Sequence, residues 1–235
     1  MLSRKIDTLE RFLEAIHTEY VNARTPISMS EDIDRGRSRT ISGIAEDLFA
    51  EFIKTVLNND KLHYFVDQPI RIPGKTFYPD LVIAKTIDNT NYEVAYMLDL
   101  KMDVGYHRNT TKAQAGKTTY LDKALELSDL CKQFKEAKHG EGIKGSVKKS
   151  KVDKSADRFM FSISNDAKYD MVVITDKNAG SKILSKQLLR FSNDPEKNIW
   201  LLDTGDHPNE YFDPVFNPNI DDFNVLIEKI KKVIN

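Results

Sequence analysis

Two short apolar runs with a cluster of turn-forming residues between them constrain the fold of this chain most strongly. The first run extends from Phe77 to Ile83 and the second from Glu93 to Lys101, and the cluster is Asp88-Asn89-Thr90-Asn91. Apolar runs of strand length on either side of such a cluster predict a β-hairpin. Because the second run is apolar on both faces, we expect it to lie near the middle of a β-sheet.

The second strand ends in two charged side chains, Asp99 and Lys101. Side chains alternate between the faces of a strand, so these two project from one face with Ala95 and Met97, and the opposite face carries Val94, Tyr96, Leu98 and Leu100. Charged groups at such a place are costly to bury unless they have partners. Asp80, at the start of the first strand, reaches the same point if the strands pair. Two carboxylates beside an ammonium group form a hard-oxygen site suited to Mg²⁺.

The sequence Pro79-Asp80, followed after eighteen residues by Asp99-Leu100-Lys101, resembles the signature of the PD-(D/E)XK nuclease superfamily, above all of its type II restriction endonucleases. The resemblance covers roughly Ser42 to Lys101, and beyond Lys101 only the layout is similar. It implies an α/β fold with a restriction-endonuclease-like core, in which a central mixed β-sheet is flanked by helices. It also implies that Asp80, Asp99 and Lys101 are catalytic, and that the backbone carbonyl of Leu100 joins the two carboxylates in binding Mg²⁺.

A predicted helix from Ile41 to Leu57 precedes these strands. Its apolar stripe consists of Ile44, Ala45, Leu48, Phe49, Phe52, Ile53 and Val56. At about 100° per residue, Glu46 lies at one flank of this stripe and Glu51 at the other, whereas Asp47 points away from it. The resemblance favours Glu46 as a residue that assists metal or water binding, because related enzymes place a glutamate on this helix. The alternative is a solvated glutamate at the edge of a helix.

Three polar regions carry residues suited to DNA contacts. Arg35, Arg37 and Arg39 precede the helix that carries Glu46, and such arginines can clamp phosphates. A loop after the second strand has residue types that read base edges or grip phosphates, namely Arg108, Asn109, Thr110, Thr111, Lys112, Gln114 and Lys117. A lysine-rich stretch from 139 to 157 adds Lys148, Lys149 and Lys151. Ordinary surface charge on solvated loops is the alternative for all three regions.

Charge distribution supports the same interpretation. Between Lys101 and Arg158 there are fourteen Lys and Arg against eight Asp and Glu, so this part carries +6 while the whole chain carries −1. A basic middle section between acidic ends can make one surface attractive to phosphates.

The remaining periodicity predicts further elements. Helices are expected over Arg4 to Val21, Tyr120 to Lys138, Ser181 to Phe191 and Asp221 to Ile234, and strands over Arg158 to Ile163, Tyr169 to Thr175 and Asn198 to Leu202. The stretches Leu62 to Val66 and Pro69 to Ile72 are compatible with an edge strand or a loop. The regions 102–119 and 139–157 are predicted to be loops.

Length and composition predict one domain over residues 1–235. We divide it into an N-terminal helix and loop (1–40), the catalytic motifs (41–101), a polar recognition region (102–158) and C-terminal strands and helices (159–235). The N-terminal helix either packs on the domain or, with its loop, serves dimerisation or DNA clamping. Of its 235 residues, 40% are hydrophobic and 30% charged, and Cys131 is the single cysteine. The absence of a signal core or a membrane-length apolar run, together with one cysteine, predicts a cytoplasmic protein without membrane contact. The sequence has no zinc spacing, no phosphate-binding glycine loop and no serine-hydrolase elbow, so we expect no nucleotide cofactor.

These observations together predict a Mg²⁺-dependent type II restriction endonuclease. It would act as a homodimer on a short, palindromic site in double-stranded DNA, and the resemblance implies 5′-phosphate products. One alternative is a repair, phage or mobile-element nuclease of the same superfamily that recognises DNA structure. Another is a non-catalytic DNA-binding protein that retains the fold.

Overall fold

The computed structural model describes residues 5–24, 40–72, 75–103, 145–148, 158–175, 198–209 and 213–235. These ranges contain the helices α1 (Leu9–Arg24), α2 (Ser42–Leu57) and α3 (Ile220–Ile234). They also contain the strands β1 (Leu62–Val66), β2 (Ile70–Ile72), β3 (Lys75–Phe77), β4 (Leu81–Thr86), β5 (Asn91–Asp103), β6 (Gly145–Lys148), β7 (Arg158–Thr175) and β8 (Ile199–Asp203). The fold is α/β, as predicted.

A mixed β-sheet forms the centre of the molecule. Its strand order is β1-β4-β5-β7-β6, and β8 pairs with the second half of β7. Strands β5, β7 and β8 run parallel, whereas β1, β4 and β6 each run antiparallel to their neighbours. β1 is therefore the edge strand that the sequence left undecided, and the apolar strand β5 lies inside the sheet between β4 and β7.

The predicted hairpin is confirmed by the antiparallel pairing of β4 with β5. Its turn is held by Asp88, whose carboxylate accepts hydrogen bonds from the backbone N–H groups of Thr90 and Asn91, both at 2.9 Å. Several N–H donors stabilise the ionised carboxylate, and these hydrogen bonds lower the pKa of Asp88. The turn residues read from the sequence therefore set the register of the two strands.

The alternation predicted for β5 is wrong at Val94 and Ala95. The pairs Ile83–Tyr96 and Ala84–Val94 leave Ala95 as an extra residue opposite β4. After this bulge Ala95 packs with Tyr96, Leu98 and Leu100, whereas Val94 packs on the face of Met97. A bulge restarts the alternation of side chains, so a period of two cannot be extended through it. Asp99 and Lys101 lie beyond the bulge, where the prediction is unaffected.

The two separate strands predicted from 158 to 175 are a single strand, β7. Between the pairs Val94–Ile163 and Tyr96–Lys168, residues 164–167 of β7 lie opposite Ala95 alone. The polar residues in this segment suggested a break in the sequence. Pairing of β7 with β5 resumes at Lys168. Apolar side chains on both sides of the irregularity, such as Ile163 and Tyr169, are buried in one cluster, which keeps both halves of β7 in the sheet.

The three helices in the described ranges cover one face of the central sheet. The aromatic rings of Phe12 in α1, Phe52 in α2 and Phe223 in α3 form a stack, with successive ring centroids 5.0 Å apart. The opposite face is packed partly by the small sheet of β2 and β3, whose Ile70 and Phe77 belong to the same buried cluster as Met97. The central sheet is thus buried on both faces, which explains the apolar character of β5.

Helix α1 begins at Leu9, so the predicted start at Arg4 is wrong. Thr8 caps the helix, because its hydroxyl accepts a hydrogen bond from the N–H of Arg11 at 3.3 Å. Helices α2 and α3 match their predicted positions, and Asn219 caps α3 through the N–H of Asp222. Ile44 was assigned to the buried stripe of α2, but it is 46% exposed because the stripe packs through Ala45, Phe49 and Phe52.

Strand β6 lies within the stretch 139–157, which was predicted to be a loop. Its residues Gly145-Ser146-Val147-Lys148 have little strand periodicity, and the strand depends on backbone pairing with β7. The predicted helices 120–138 and 181–191 and most of the loop 102–119 lie outside the described residues. Over the ranges that the structure describes, no helix has the length and apolar character needed to cross a membrane.

Candidate active site

The β4–β5 hairpin brings Asp80 and Asp99 together. Leu81 at the start of β4 pairs with Leu98 of β5. Asp80, just before β4, therefore lies opposite Asp99. The Oδ2 atom of Asp80 accepts a hydrogen bond of 2.6 Å from the backbone N–H of Leu100. This bond fixes the Asp80 carboxylate against β5, where it lies beside the carboxylate of Asp99.

Lys101 connects the two carboxylates. Its Nζ atom lies 2.8 Å from Oδ1 of Asp99 and 3.6 Å from Oδ2 of Asp80. It also donates a hydrogen bond of 3.2 Å to the backbone carbonyl of Leu100. The three side chains that the sequence predicted to converge are therefore in direct contact at the end of β5.

Burial and charge strongly perturb the ionisation of this group. Burial, a hydrogen bond with Asp99 and the charge of that neighbouring carboxylate raise the pKa of Asp80 to about 8. Burial alone would lower the pKa of Lys101, but the carboxylates of Asp99 and Asp80 outweigh it and the pKa lies above its ordinary value. Lys101 therefore stays protonated at neutral pH and supplies positive charge to the site.

Glu46 of α2 is half-buried and close enough to this group for its carboxyl to interact with the charges of Lys101 and Asp99. Burial raises the pKa of Glu46, the carboxylate of Asp67 raises it further, and Lys101 acts in the opposite direction. Glu51, by contrast, is exposed and pairs with Lys54 at 3.6 Å. The structure thus answers a question that the sequence left open: of these two glutamates, Glu46 is the one within electrostatic reach of Lys101.

Asp67 is a neighbour of the site that sequence reasoning missed. It follows β1, and its backbone N–H donates a hydrogen bond of 3.0 Å to the carbonyl of Asp80. Its φ angle of 45° lies in the left-handed region, which Asp adopts more readily than most residues. In the sequence Asp67 was seen only as the end of an apolar run. Its place depends on the pairing of β1 with β4, which no local pattern reveals.

Tyr169 is the second neighbour that was missed. It pairs in register with Met97, so it lies on the same face as Asp99, one strand away. Burial raises the pKa of the Tyr169 hydroxyl, and the negative charges of Asp99 and Asp80 raise it further. The sequence placed Tyr169 at the start of a strand but could not show that this strand lies parallel to β5.

The donor set is compatible with Mg²⁺. Two carboxylates and the carbonyl of Leu100 are hard oxygen donors, and Mg²⁺ is commonly bound by one or two carboxylates while it keeps several waters. The crowding of the Asp80 and Asp99 charges is what a divalent cation would relieve. In the part of the chain that the structure describes, no three His, Cys, Asp or Glu side chains form a complete metal cluster. Glu46 therefore lies outside the immediate Asp80–Asp99 pair.

The predicted DNA-binding residues mostly lie outside the described ranges. This applies to Arg35, Arg37, Arg39, Arg108, Asn109, Thr110, Thr111, Lys112, Gln114, Lys117, Lys149 and Lys151. Lys148 is the last residue of β6, at the Arg158 end of β7. The roles of these residues stay predictions.

Comparison of the chain with protein-family models, with curated proteins and with solved structures finds no significant match. The function of the chain is therefore inferred from the chemistry of the site itself.

Proposed function

We propose that this protein is a Mg²⁺-dependent nuclease with a restriction-endonuclease-like core that hydrolyses phosphodiester bonds of double-stranded DNA. The observation that carries the proposal is the meeting of Asp80, Asp99 and Lys101, with Lys101 Nζ at 2.8 Å from one carboxylate and 3.6 Å from the other. Two acidic oxygen donors that can hold a divalent cation, together with one ammonium group, can stabilise the charge that develops when an anionic diester is hydrolysed.

Each residue has a definite part in this chemistry. Asp80, Asp99 and the carbonyl of Leu100 would hold Mg²⁺, which when bound supplies positive charge to a phosphate oxygen and lowers the pKa of water. The Lys101 ammonium orients the attacking water and stabilises the negative charge that develops on the phosphate. Glu46 accepts a hydrogen bond from that water. The water oxygen would form a bond to phosphorus as the bond to the 3′-oxygen breaks, while one water proton passes through Glu46 to solvent and the departing 3′-oxygen takes a proton from solvent. The products are a 5′-phosphate and a 3′-hydroxyl.

Within this class we propose a type II restriction endonuclease in the cytoplasm that acts as a homodimer on a short palindromic site. The support is the resemblance of Pro79-Asp80 and Asp99-Leu100-Lys101 to that family, together with strand positions that put these residues in contact. A repair, phage or mobile-element nuclease would use the same residues. Digestion of phage DNA separates the two, because sequence specificity gives discrete fragments and structural specificity does not.

A non-catalytic DNA-binding protein is the second candidate, and one observation favours it. Lys101 already forms ion pairs with both carboxylates, so part of their negative charge is offset without a cation. Such a protein would bind DNA to the same extent with or without Mg²⁺ and would cut none.

The first test is cleavage of plasmid and phage DNA by the wild type and by Asp99→Asn. We expect Asp99→Asn to lower the cleavage rate in Mg²⁺ by at least about a hundredfold, because one of the two anionic cation ligands becomes neutral. Binding of the same DNA in Ca²⁺ should persist. Asp166→Asn, which changes an exposed aspartate in β7, is the matched control and should cut at the wild-type rate.

The same assay tests Glu46. We expect Glu46→Gln to cut more slowly, while Glu51→Gln on the same helix cuts normally because its side chain pairs with Lys54 in solvent. Cleavage by Asp99→Asn at the wild-type rate would refute the assignment of the site. Equal effects of the two glutamate substitutions would remove Glu46 from it.

A further inference from the structure

Tyr78 is an exposed aromatic side chain directly beside the candidate active site. It is 65% exposed, whereas Phe77 before it and Pro79 after it are buried. Every other Phe, Tyr and Trp whose burial the structure describes is buried or half-buried. The two buried neighbours anchor the backbone on both sides, so the exposed position of the Tyr78 ring is built into the segment between β3 and β4.

An exposed aromatic residue is ordinary on a protein surface, and the position of Tyr78 is what gives it significance. Only one residue separates Tyr78 from Asp80, so their Cα atoms are at most about 7 Å apart. A phosphate bound at Asp80 and Asp99 would therefore place its own nucleotide, or the next one, within reach of the Tyr78 ring.

Resting on the proposed nuclease function, we propose that Tyr78 stacks on a nucleobase beside the bound phosphate. Both faces of a paired base within a duplex are covered by its neighbours, whereas an unpaired or flipped base offers a free face. The site therefore takes a DNA strand whose base next to the cut is unstacked. In a duplex that base is opened on binding, and single-stranded DNA offers it without opening, so the site also binds single strands. This specifies the state of the substrate at the cut, which the Asp80, Asp99 and Lys101 group does not determine.

The test compares two short oligomers in Ca²⁺, which allows binding without cleavage. One is an oligothymidylate, and the other is an abasic strand of the same length that has the same phosphates and no bases. We expect Tyr78→Ala to raise the dissociation constant for the oligothymidylate about tenfold, and Tyr78→Phe to bind within about twofold of the wild type, because stacking needs the ring and not the hydroxyl. On the abasic strand all variants should bind equally.

Ile87→Ala is the matched control. Ile87 is also strongly exposed, at 63%, but it follows the opposite end of β4, about 20 Å from Asp80 along the strand. It should bind both oligomers as the wild type does. A loss that is equal on the abasic strand would overturn the proposal, as would unchanged binding by Tyr78→Ala or no binding of the oligothymidylate by the wild type.

Two further results separate this inference from neighbouring hypotheses. If Tyr78→Ala changes the sedimentation of the protein, the exposed ring is a contact between protein copies and stacking is refuted. If the wild type cuts DNA in Mg²⁺ but Tyr78→Ala shows no base-dependent loss, the stacking role fails and the nuclease function stands. If no DNA is cut, the nuclease function fails, whereas base-dependent binding through Tyr78 is still measured.

Discussion

At the scale of single residues, the site is a compromise between charges that oppose one another. Two carboxylates lie side by side in a largely buried position, and the Lys101 ammonium together with the N–H of Leu100 partly offsets their repulsion. The sequence predicted this convergence because Asp80, Asp99 and Lys101 lie on two strands joined by a recognisable turn. It did not predict Asp67 or Tyr169, because these residues reach the site through pairing of β1 with β4 and of β7 with β5. Long-range pairing of this kind has no local signal in a single sequence.

The ionisation of Asp80 makes the stability of the metal-free protein depend on pH. The pKa of Asp80 rises from 3.8 to about 8 on folding, so the fold favours the protonated carboxyl. This contribution is fully present below the unfolded pKa and is lost as pH rises through the folded pKa. We therefore expect the melting temperature in EDTA to fall between about pH 5 and about pH 8, and Asp80→Asn to fall less over the same interval.

The control for this measurement is Asp166→Asn, which should keep the wild-type pH dependence because its side chain is exposed. Addition of Mg²⁺ at the upper end of the interval should raise the melting temperature of the wild type and leave that of Asp80→Asn nearly unchanged. Identical pH profiles for the wild type and Asp80→Asn would show that Asp80 is not the group responsible.

At the scale of elements, a helix or strand could be predicted from the sequence where interactions within its own segment determine it. Helices α2 and α3 and strand β8 were predicted close to their observed bounds, because periodicity is encoded within each segment. The β4–β5 hairpin was predicted from its turn, but its first strand begins at Leu81 and not at Phe77, which belongs to β3 and pairs with β2. The bulge at Ala95 and the strand β6 were not predicted, because both depend on a partner strand. The start of α1 was wrong for a different reason. Ile6 continued the apolar period, but the cap supplied by Thr8 decides where the helix begins.

One interaction between elements joins α3 to the middle of the sheet. Asp170 of β7 is buried, and its Oδ2 atom accepts hydrogen bonds from the Tyr96 hydroxyl at 2.6 Å, from Trp200 Nε1 at 2.7 Å and from Lys229 Nζ at 2.8 Å. The Lys229 ammonium also lies 5.3 Å from the centre of the Trp200 ring. A buried carboxylate needs a counter-charge. Lys229 supplies it for Asp170, so this ion pair helps to hold α3 against β7.

We expect Lys229→Met to lower the free energy of unfolding by about 3 kcal/mol, because it leaves the Asp170 charge buried without its cation. Lys231→Met on the same helix is the matched control. Lys231 pairs with Glu228 at 2.9 Å, but both side chains are exposed, and the loss should be below about 0.5 kcal/mol. Urea unfolding followed by Trp200 fluorescence measures both changes. Equal values for the two variants would show that the buried pair does not stabilise the fold.

At the scale of the whole molecule, the proposed nuclease has the Asp80–Asp99 site on one chain, whereas its proposed substrate has two strands. A single site hydrolyses one phosphodiester at a time, so a chain acting alone nicks a duplex before it can cut the second strand. A two-fold dimer presents two identical sites to two antiparallel strands and can cut both in one binding event. The resemblance predicts such a dimer, and the N-terminal helix was one candidate for its interface. In the structure the apolar side of α1, including Phe12, Leu13 and Ile16, is buried in the core of its own chain, so that apolar side is not available to a partner.

The number of chains that act together can be read from the products of a mixture. Wild-type and Asp99→Asn chains should be unfolded, mixed in varied ratios and refolded together, and then incubated with supercoiled plasmid that carries one cleavage site. If the active unit is a dimer, hybrid dimers have one working site, so nicked circles should accumulate in proportion to the product of the two chain fractions, with a maximum near equal amounts. If each chain acts alone, the inactive chain only dilutes the active one, and the ratio of nicked to linear product at matched extents of reaction stays that of the wild type.

Refolded wild type alone, which should yield linear DNA with little nicked intermediate, controls for damage during refolding. Because both strands must be cut for a linear product to form, a constant product ratio across all mixtures would contradict the dimer and leave a nicking enzyme with one site per binding event.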